Sequence, residues 1–389
     1  MLVCPQELKG SLTAFDAAAA MAAGVRRALP DAAVVELPLA DGGPGTAAIV
    51  SASAGGELIE VAVTGPLGAA VRACFALLPR SAGEVGPVAV IEAAQAAGLA
   101  LVPPGERDAR RATTYGVGEL VRAALDRGAR ALIVGVGGTA SSDGGAGAAQ
   151  ALGYRLLDAA GAPLREPAGG LDLLEVAAID RANVDPRLAA VDVRVAVDVT
   201  NVLLGPEGAT AVYGSQKGAT GELAERLEAA LARWADTIET QLGVGVADLA
   251  GGGAGGGLAA GLVAAIGGRI ESGAGLVAQA VGLDEAVRDA DLVVTGEGRL
   301  DGQTAFGKTV ALVTALAERY GRPCLAVAGS VDQLPAGIAD VETLLAGVVG
   351  EAEAMARAAE LVEAAAERLV RRGSWESARA WPTRRLRGS

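Results

Sequence analysis

The sequence predicts an α/β protein of two domains. One is a Rossmann-like parallel α/β domain formed by both chain ends. The other is an inserted mixed α/β domain. Three observations lead there. The first residues alternate strand and helix patterns, residues 57–92 carry three strand patterns with no helix between them, and the alternation resumes after residue 291. The expected boundaries are 1–60 plus 282–374 for the first domain and 61–281 for the insert, with 375–389 a loose tail that mixes Trp, Pro and Arg without a period.

Leu2-Val-Cys is a short buried-strand run, and Ser11 to Leu29 follows as a helix stopped by Pro30. Leu12, Phe15, Ala19, Ala22 and Leu29 are expected on its apolar stripe. Ala33-Val-Val-Glu-Leu is a second strand, and Thr46 to Ser53 a second helix. Glu57 to Thr64, Ala70 to Leu78 and Val88 to Glu92 are strands linked by turns, which suggests antiparallel pairing. Helix is expected at Tyr115–Asp126, strand at Ala131–Val136, helix at Gly145–Leu152, strand at Val193–Val197 and helix at Glu222–Leu242. Gly251 to Gly268 is uncharged and imitates a membrane span. Its glycine content makes it a poor one, and a buried Gly-rich loop leading into a tightly packed helix is expected. After Asp291, strand at Leu292–Thr295, helix at Thr309–Tyr320, strands at Cys324–Ala328 and Val341–Ala346, and helix at Glu351–Arg371 complete the chain.

Composition narrows the chemistry. The 389 residues carry a net charge of −13, which argues against a nucleic-acid surface. No signal peptide is visible. Cys4, Cys74 and Cys324 are too few and too scattered for a disulfide framework, so a reduced, cytoplasmic setting is expected. Histidine is absent, so a general base must be Asp, Glu, Lys, Tyr or Cys.

The chemistry-bearing pattern is a recurring corner, in which an apolar run ends in a Gly-rich turn with one or two carboxylates and a helix follows. It occurs at Leu39-Ala-Asp41-Gly42-Gly43-Pro-Gly-Thr46, at Gly135-Val-Gly137-Gly138-Thr139-Ala-Ser-Ser-Asp143-Gly-Gly, and at Thr295-Gly-Glu297-Gly-Arg299-Leu-Asp301. Lys9-Gly-Ser11 is a fourth corner without the acid. Glycines let main-chain N–H groups approach an anion, and a helix N-terminus adds partial positive charge. Carboxylates there make sense if a divalent cation intervenes or if one of them is a base. Each feature also has a plainer reading: an N-cap at Ser11 or Asp143, a turn at Asp41-Gly, an Asx turn at Asp198-Val-Thr-Asn201. Gln216-Lys217-Gly places a second lysine near the last of these. Gly302 to Thr309 fits the Walker A pattern, with Lys308 at the lysine position. Its strand ends too early for a P-loop, and a phosphate-contacting loop of another fold is preferred.

These residues together resemble the bacterial glycerate kinase family of the first type, which includes glycerate 2-kinases. The resemblance rests on Lys9-Gly-Ser-Leu-Thr-Ala, Pro38 to Thr46, Thr113-Thr-Tyr-Gly-Val-Gly-Glu-Leu120, Gly135 to Gly147, Asp198 to Asn201, Tyr213 to Thr220, Thr295 to Thr304, Gly307-Lys308 and Ala328-Gly-Ser330. It implies ATP-dependent phosphorylation of glycerate with Mg²⁺, with the active site in the cleft between the two domains, and makes Thr309 an accidental completion of the Walker string. The chain departs from the family pattern at Gln6 (commonly Asp), Pro44 (commonly Glu) and Phe306 (commonly His). A kinase of another small hydroxy acid and a non-catalytic nucleotide- or metabolite-binding regulator are the alternatives.

On this reading Asp198 or Asp143 accepts the hydroxyl proton, and Lys9 and Arg299 neutralise charge. Ser11, Asp41, Gly42, Gly43, Thr46, Gly137, Gly138, Thr139, Asn201, Lys217 and Lys308 contact substrate or phosphate, and Glu297 and Asp301 hold Mg²⁺. The partners are glycerate and ATP. Neither nucleic acid nor membrane is expected, and a homodimer is compatible with the reading.

Overall fold

The computed structural model describes residues 1–79, 86–300, 309–344 and 350–373. Two compact units are present, one built from residues 1–41 and 274–389 and the other from 42–273.

The first segment holds β1 (Leu2–Val3), α1 (Ala14–Ala28) and β2 (Val35–Glu36). The second unit contains α2 (Thr46–Ala54), β3 (Glu57–Thr64), β4 (Ala70–Leu78), β5 (Val88–Glu92), α3 (Ala93–Ala97), α4 (Tyr115–Asp126), β6 (Ala131–Gly135), α5 (Ala146–Ala151), β7 (Arg155–Leu157), β8 (Ala178–Asp180), β9 (Asp192–Ala196), α6 (Ala209–Tyr213), α7 (Glu222–Leu242), α8 (Leu258–Ile266) and β10 (Arg269–Glu271). The chain then returns through α9 (Gly273–Ala280), α10 (Leu283–Asp289), β11 (Val293–Leu300), α11 (Thr309–Arg319), β12 (Cys324–Val331), β13 (Asp340–Thr343), α12 (Glu351–Ala356) and α13 (Ala358–Arg371).

The unit made by the chain ends has a parallel sheet in the order β13-β12-β11-β1-β2. Its central strands open on apolar runs, Val293-Val294 in β11 and Cys324 to Ala328 in β12, because helices cover them. Val3, Val294, Leu325 and Val327 pack with Met21, Val25, Val362 and Leu369 in one core cluster. Helix α1 buries Ala14, Ala17, Ala18, Met21, Ala22 and Val25, so the expected stripe is corrected: Phe15 and Ala19 face outward. Small residues win that face because α13 lies very close. A Cβ on Gly24 would sit 2.1 Å from the Glu363 carbonyl oxygen. The helix also starts later than expected. Thr13, not Ser11, is the N-cap, and its hydroxyl accepts from Asp16 N–H at 3.1 Å. The second strand shrinks to Val35–Glu36, both exposed at the sheet edge. The single C-terminal helix expected over 351–371 is interrupted at Arg357 (φ −111°), whose guanidinium bonds carboxylates on both sides, Glu353 and Glu360.

The other unit has a mixed sheet ordered β10-β9-β6-β5-β4-β3. β3, β4 and β5 pair antiparallel, as their spacing predicts, while β5, β6, β9 and β10 are parallel. Helix α2, expected with the first domain, belongs to this unit, where main-chain bonds to Glu92 hold it. The expected Gly-rich segment is found as a turn ending at Gly257 and leading into α8. A Cβ on Gly261 would lie 2.4 Å from the Gly144 carbonyl oxygen, which explains a glycine inside that helix. Among the described residues, no helix is long and apolar enough to cross a membrane.

Candidate functional site

The sequence-predicted corners fall into two clusters, one in each unit. In the 42–273 unit the parallel strands β5, β6, β9 and β10 end on one edge, where ligands bind in α/β sheets. Glu92 ends β5, the 136–143 turn follows β6, Asp198 lies two residues past β9 and Ser272 one residue past β10. Gly42 packs onto this edge. A Cβ on Gly135 would meet the Gly42 carbonyl oxygen at 1.8 Å, and a Cβ on Gly42 would meet Ala196 Cβ at 2.9 Å. Gly137 and Gly138 then come up against Gly43 and Pro44, their built Cβ positions lying 3.8 Å from atoms of each. Two corners separated by about ninety residues of chain are therefore brought together, and Gly137 and Gly138 are exposed among buried neighbours.

Two acids of this cluster, Asp143 and Glu92, are engaged with the main chain. Asp143 is fully buried, and both its oxygens are taken. Oδ2 accepts from Thr114 N–H at 2.7 Å, from the Thr114 hydroxyl at 2.8 Å and from Gly147 N–H at 3.2 Å; Oδ1 accepts from Gly145 N–H at 3.2 Å. Burial pushes its carboxyl pKa up, and these hydrogen bonds oppose the shift. Glu92, 2% exposed, does the same for α2. Its Oε1 accepts from Ala47 N–H at 2.7 Å and its Oε2 from Gly45 N–H at 3.1 Å. Burial raises the Glu92 pKa as well. Both helix starts expected to cradle an anion thus hold a carboxylate of the chain itself, in the place where phosphate would otherwise be favoured.

Lys217 is the cation of this cluster. It is 3% exposed; its ammonium donates to the Ser141 carbonyl at 2.6 Å and to the Thr139 hydroxyl at 3.4 Å. Burial lowers its pKa to about 8, against the opposing field of Asp143. The Ser141 hydroxyl beside it is buried with no hydrogen-bond partner among the described residues. Gly256 is required where it is, because a Cβ there would lie 2.1 Å from the Ser141 carbonyl oxygen and 2.8 Å from Lys217 Nζ. Asp198 is half-buried and accepts from the Ser272 hydroxyl at 3.0 Å. Asn201 is oriented from both ends: its Oδ1 accepts from the Tyr213 hydroxyl at 2.7 Å, and its Nδ2 donates to the Glu207 carbonyl at 2.9 Å. The Thr46 hydroxyl donates to the Gly43 carbonyl at 2.7 Å and tightens its own corner.

The second cluster lies in the unit made by the chain ends. Lys9-Gly-Ser11 is a tight turn in which Gly10 takes φ +79°, and the Ser11 hydroxyl donates to the Leu8 carbonyl at 2.9 Å. Lys9 is exposed. Gly298 lies against this turn, its built Cβ 3.6 Å from Lys9 N. The expected corner at Gly296 is corrected: β11 continues to Leu300 in register with β12, Glu297 opposite Ala328 and Arg299 opposite Ser330. Glycine is needed at 296 because a Cβ would lie 2.2 Å from the Val327 carbonyl oxygen, so packing and not anion approach selects it. Glu297 is buried, at 8% exposure, while Arg299, two residues further along the same face of the strand, is exposed and ion-paired with Asp332. Asp41 is half-buried at the end of the first segment. Asp301 and Lys308, with Phe306 and the 375–389 tail, lie outside the described residues.

Among the described residues no group of three or more His, Cys, Asp or Glu is placed to hold a metal ion. Mg²⁺ carried by nucleotide phosphates asks for only one or two protein carboxylates, and the buried Glu297 is a donor of that kind. Glu92 was not singled out in the sequence, and Thr114 entered only as part of the Thr113 to Leu120 motif, with no role. Their signals were an acid ending an apolar strand, Val88-Ala-Val-Ile-Glu92, and a Thr-Thr pair before a helix.

Comparison with known proteins agrees with the motif pattern. A model of the glycerate kinase family matches residues 1–374. The chain is 43% identical over 380 residues to glycerate kinase of Halalkalibacterium halodurans, covering 96% of this chain and 98% of that one. It is 42% identical over 331 residues to glycerate 2-kinase of Escherichia coli K12, covering 85% of each. A crystal structure from Salmonella typhimurium LT2, described as that of a glycerate kinase 2, superposes with a TM-score of 0.82 at 43% identity, covering 97% of this chain and 98% of that one.

Proposed function

The chain belongs to the glycerate kinase family, and on that premise we propose that it transfers the γ-phosphoryl group of Mg-ATP to D-glycerate, giving 2-phosphoglycerate. The observation that carries the site assignment is the meeting of the Gly42–Thr46 and Gly137–Asp143 corners at the ends of parallel strands, beside Lys217 and Asp198.

Phosphoryl transfer needs positioning and charge neutralisation more than covalent help. Asp198 is the proton acceptor for the reacting hydroxyl, since it is half-buried and lies on the ligand edge, with Ser272 fixing one of its oxygens. Asp143 gives up the role of base. Its oxygens are saturated and inaccessible, and it holds the Thr114 and Gly145–Gly147 main chain in shape. The exposed Gly137–Gly138 main chain, Gly42, Gly43, Thr46 and Thr139 contact substrate or phosphate oxygens, and Lys217 supplies positive charge beneath them. Asn201 hydrogen-bonds a substrate hydroxyl. Lys9, Ser11 and Arg299, with Asp41 and Lys308, serve the charged ends of the substrates. Mg²⁺ would be held by Glu297 with Asp301, and supplies charge neutralisation on the phosphates.

The deciding experiment is ADP release from Mg-ATP with D-glycerate, with enolase in a parallel sample. Glycerate-dependent ADP with an enolase-consumable product supports the 2-kinase reading. ADP without that product moves the phosphoryl group to the 3-position. Absence of glycerate-dependent ADP favours another hydroxy acid, for which Gln6 and Pro44 are the first positions to revert.

A further inference from the structure

We infer that Glu92 is a positioning residue for the reaction, holding the Gly42–Thr46 corner in its working shape by bonding the main chain behind it. This inference rests on the proposed assignment of that corner to substrate or phosphate.

Within the corner the Thr46 hydroxyl donates to the Gly43 carbonyl. Gly45 takes φ +91°, caps α2 without a side chain, and a Cβ built on it finds nothing within 4 Å. A glycine in open space with a positive φ costs conformational entropy on folding and has no packing to hold it. Glu92 supplies that hold. It ends β5, which lies between β4 and β6, and reaches across forty-five and forty-seven residues of chain to Ala47 and Gly45. Gln95 donates to the same carboxylate at 3.4 Å from the first turn after the strand. The opposite side of the corner is fixed by steric contact, Gly42 against Gly135 and Ala196. Held from one side by hydrogen bonds and from the other by contact, Gly43 and Pro44 face Gly137 and Gly138.

A buried carboxylate is a demanding way to cap a five-atom gap in the main chain, since its desolvation has to be offset by the donors it meets. Burial raises the Glu92 pKa, and the Glu92 charge adds to the burial that raises the Cys74 thiol. A glutamine would place an amide N–H₂ against one of two N–H donors, so Glu92→Gln keeps the volume and breaks the geometry. The two substrates' constants then separate positioning from stability. Loosening a substrate-binding corner raises KM for the substrate it holds, whereas a merely structural role lowers the folded fraction and leaves KM alone.

The test is steady-state kinetics of Glu92→Gln, with thermal melting and circular dichroism alongside. The expected result is a KM rise of about 10- to 100-fold for one of glycerate and ATP but not for both, in a folded protein. An unchanged KM for both substrates overturns the inference, whether or not the melting temperature falls. Should the variant not fold, amide exchange on the wild-type protein without substrates decides instead. Gly45 and Ala47 amides as protected as the interior of α2 support the inference, and exchange at the rate of an open loop overturns it. Failure of the functional reading is separable: it would show as wild-type protein without glycerate-dependent ADP release, with the exchange result still deciding the anchor.

Discussion

Acids beside glycines do different work in the two units. In the 42–273 unit, Glu92 and Asp143 point into main-chain N–H groups and finish the helix starts at Gly45 and Gly145. In the unit of the chain ends, Glu297 and Arg299 sit on a strand that runs straight through the expected corner, the first buried and the second exposed further along the same face. The difference follows from what the backbone needs. A helix start leaves N–H donors to be satisfied, and a buried carboxylate does that well. A central strand has its main-chain groups already paired within the sheet, so no acid is needed to cap them. An acid in a Gly-rich run is therefore a ligand candidate mainly where the backbone around it is already satisfied.

The strongest way to break this comparison is to neutralise one acid of each kind. Asp198→Asn should cut turnover by at least about 100-fold with little change in melting temperature. Asp143→Asn should do the reverse in order of severity, losing about 2–3 kcal/mol of stability first, because an amide cannot accept from four donors. Kinetics and urea unfolding on both variants decide it, and a stable but inactive Asp143→Asn would return the role of base to that residue. Across the units, Glu297→Gln should raise the Mg²⁺ concentration needed for half-maximal rate by about 10- to 100-fold without lowering the melting temperature as Asp143→Asn does. Equal loss of stability in the two variants would erase the distinction between strand acid and helix-start acid.

Lys217 sharpens it from the side of the cation. Its pKa, about 8 when folded, lies below the unfolded value near 10.5, so between those limits the unfolded chain binds the extra proton. The Lys217 contribution to stability should therefore rise with pH from about 8 to about 10.5, by up to about 3 kcal/mol, with its full penalty present below pH 8, while the buried Cys4 and Cys324 thiols, raised by burial, oppose that rise above about pH 9. Lys217→Met should remove that rise, as urea midpoints at pH 7.5 and 10 would reveal. The smallest effect belongs outside both clusters: Phe15→Ala should change stability by less than about 0.5 kcal/mol, since that ring is 42% exposed.

Much of the molecule could be read without coordinates. The strands Glu57–Thr64, Ala70–Leu78 and Val88–Glu92 and the helices Tyr115–Asp126 and Glu222–Leu242 lie where periodicity put them, because each buries a face whose pattern is local. The stripe of α1 could not be read that way. Helical spacing alone favoured Phe15, whereas the closeness of α13 at Gly24 selected alanines. The strand ending at Thr295 in the sequence continued to Leu300 because β12 offers Ala328-Gly-Ser330 alongside.

The sequence by itself determined the elements with a clear local period, the absence of a histidine base and, through its ordered motifs, the kinase family. What only the tertiary structure decided is which donors each acid meets. Asp143 finds Thr114 twenty-nine residues away, and Glu92 finds Ala47 forty-five away. Hydrogen bonds of that separation leave no periodic trace in the chain, since they are set by which strand ends lie side by side. A carboxylate's role depends on those partners, so the same residue type read as a ligand in the sequence becomes an anchor in the fold.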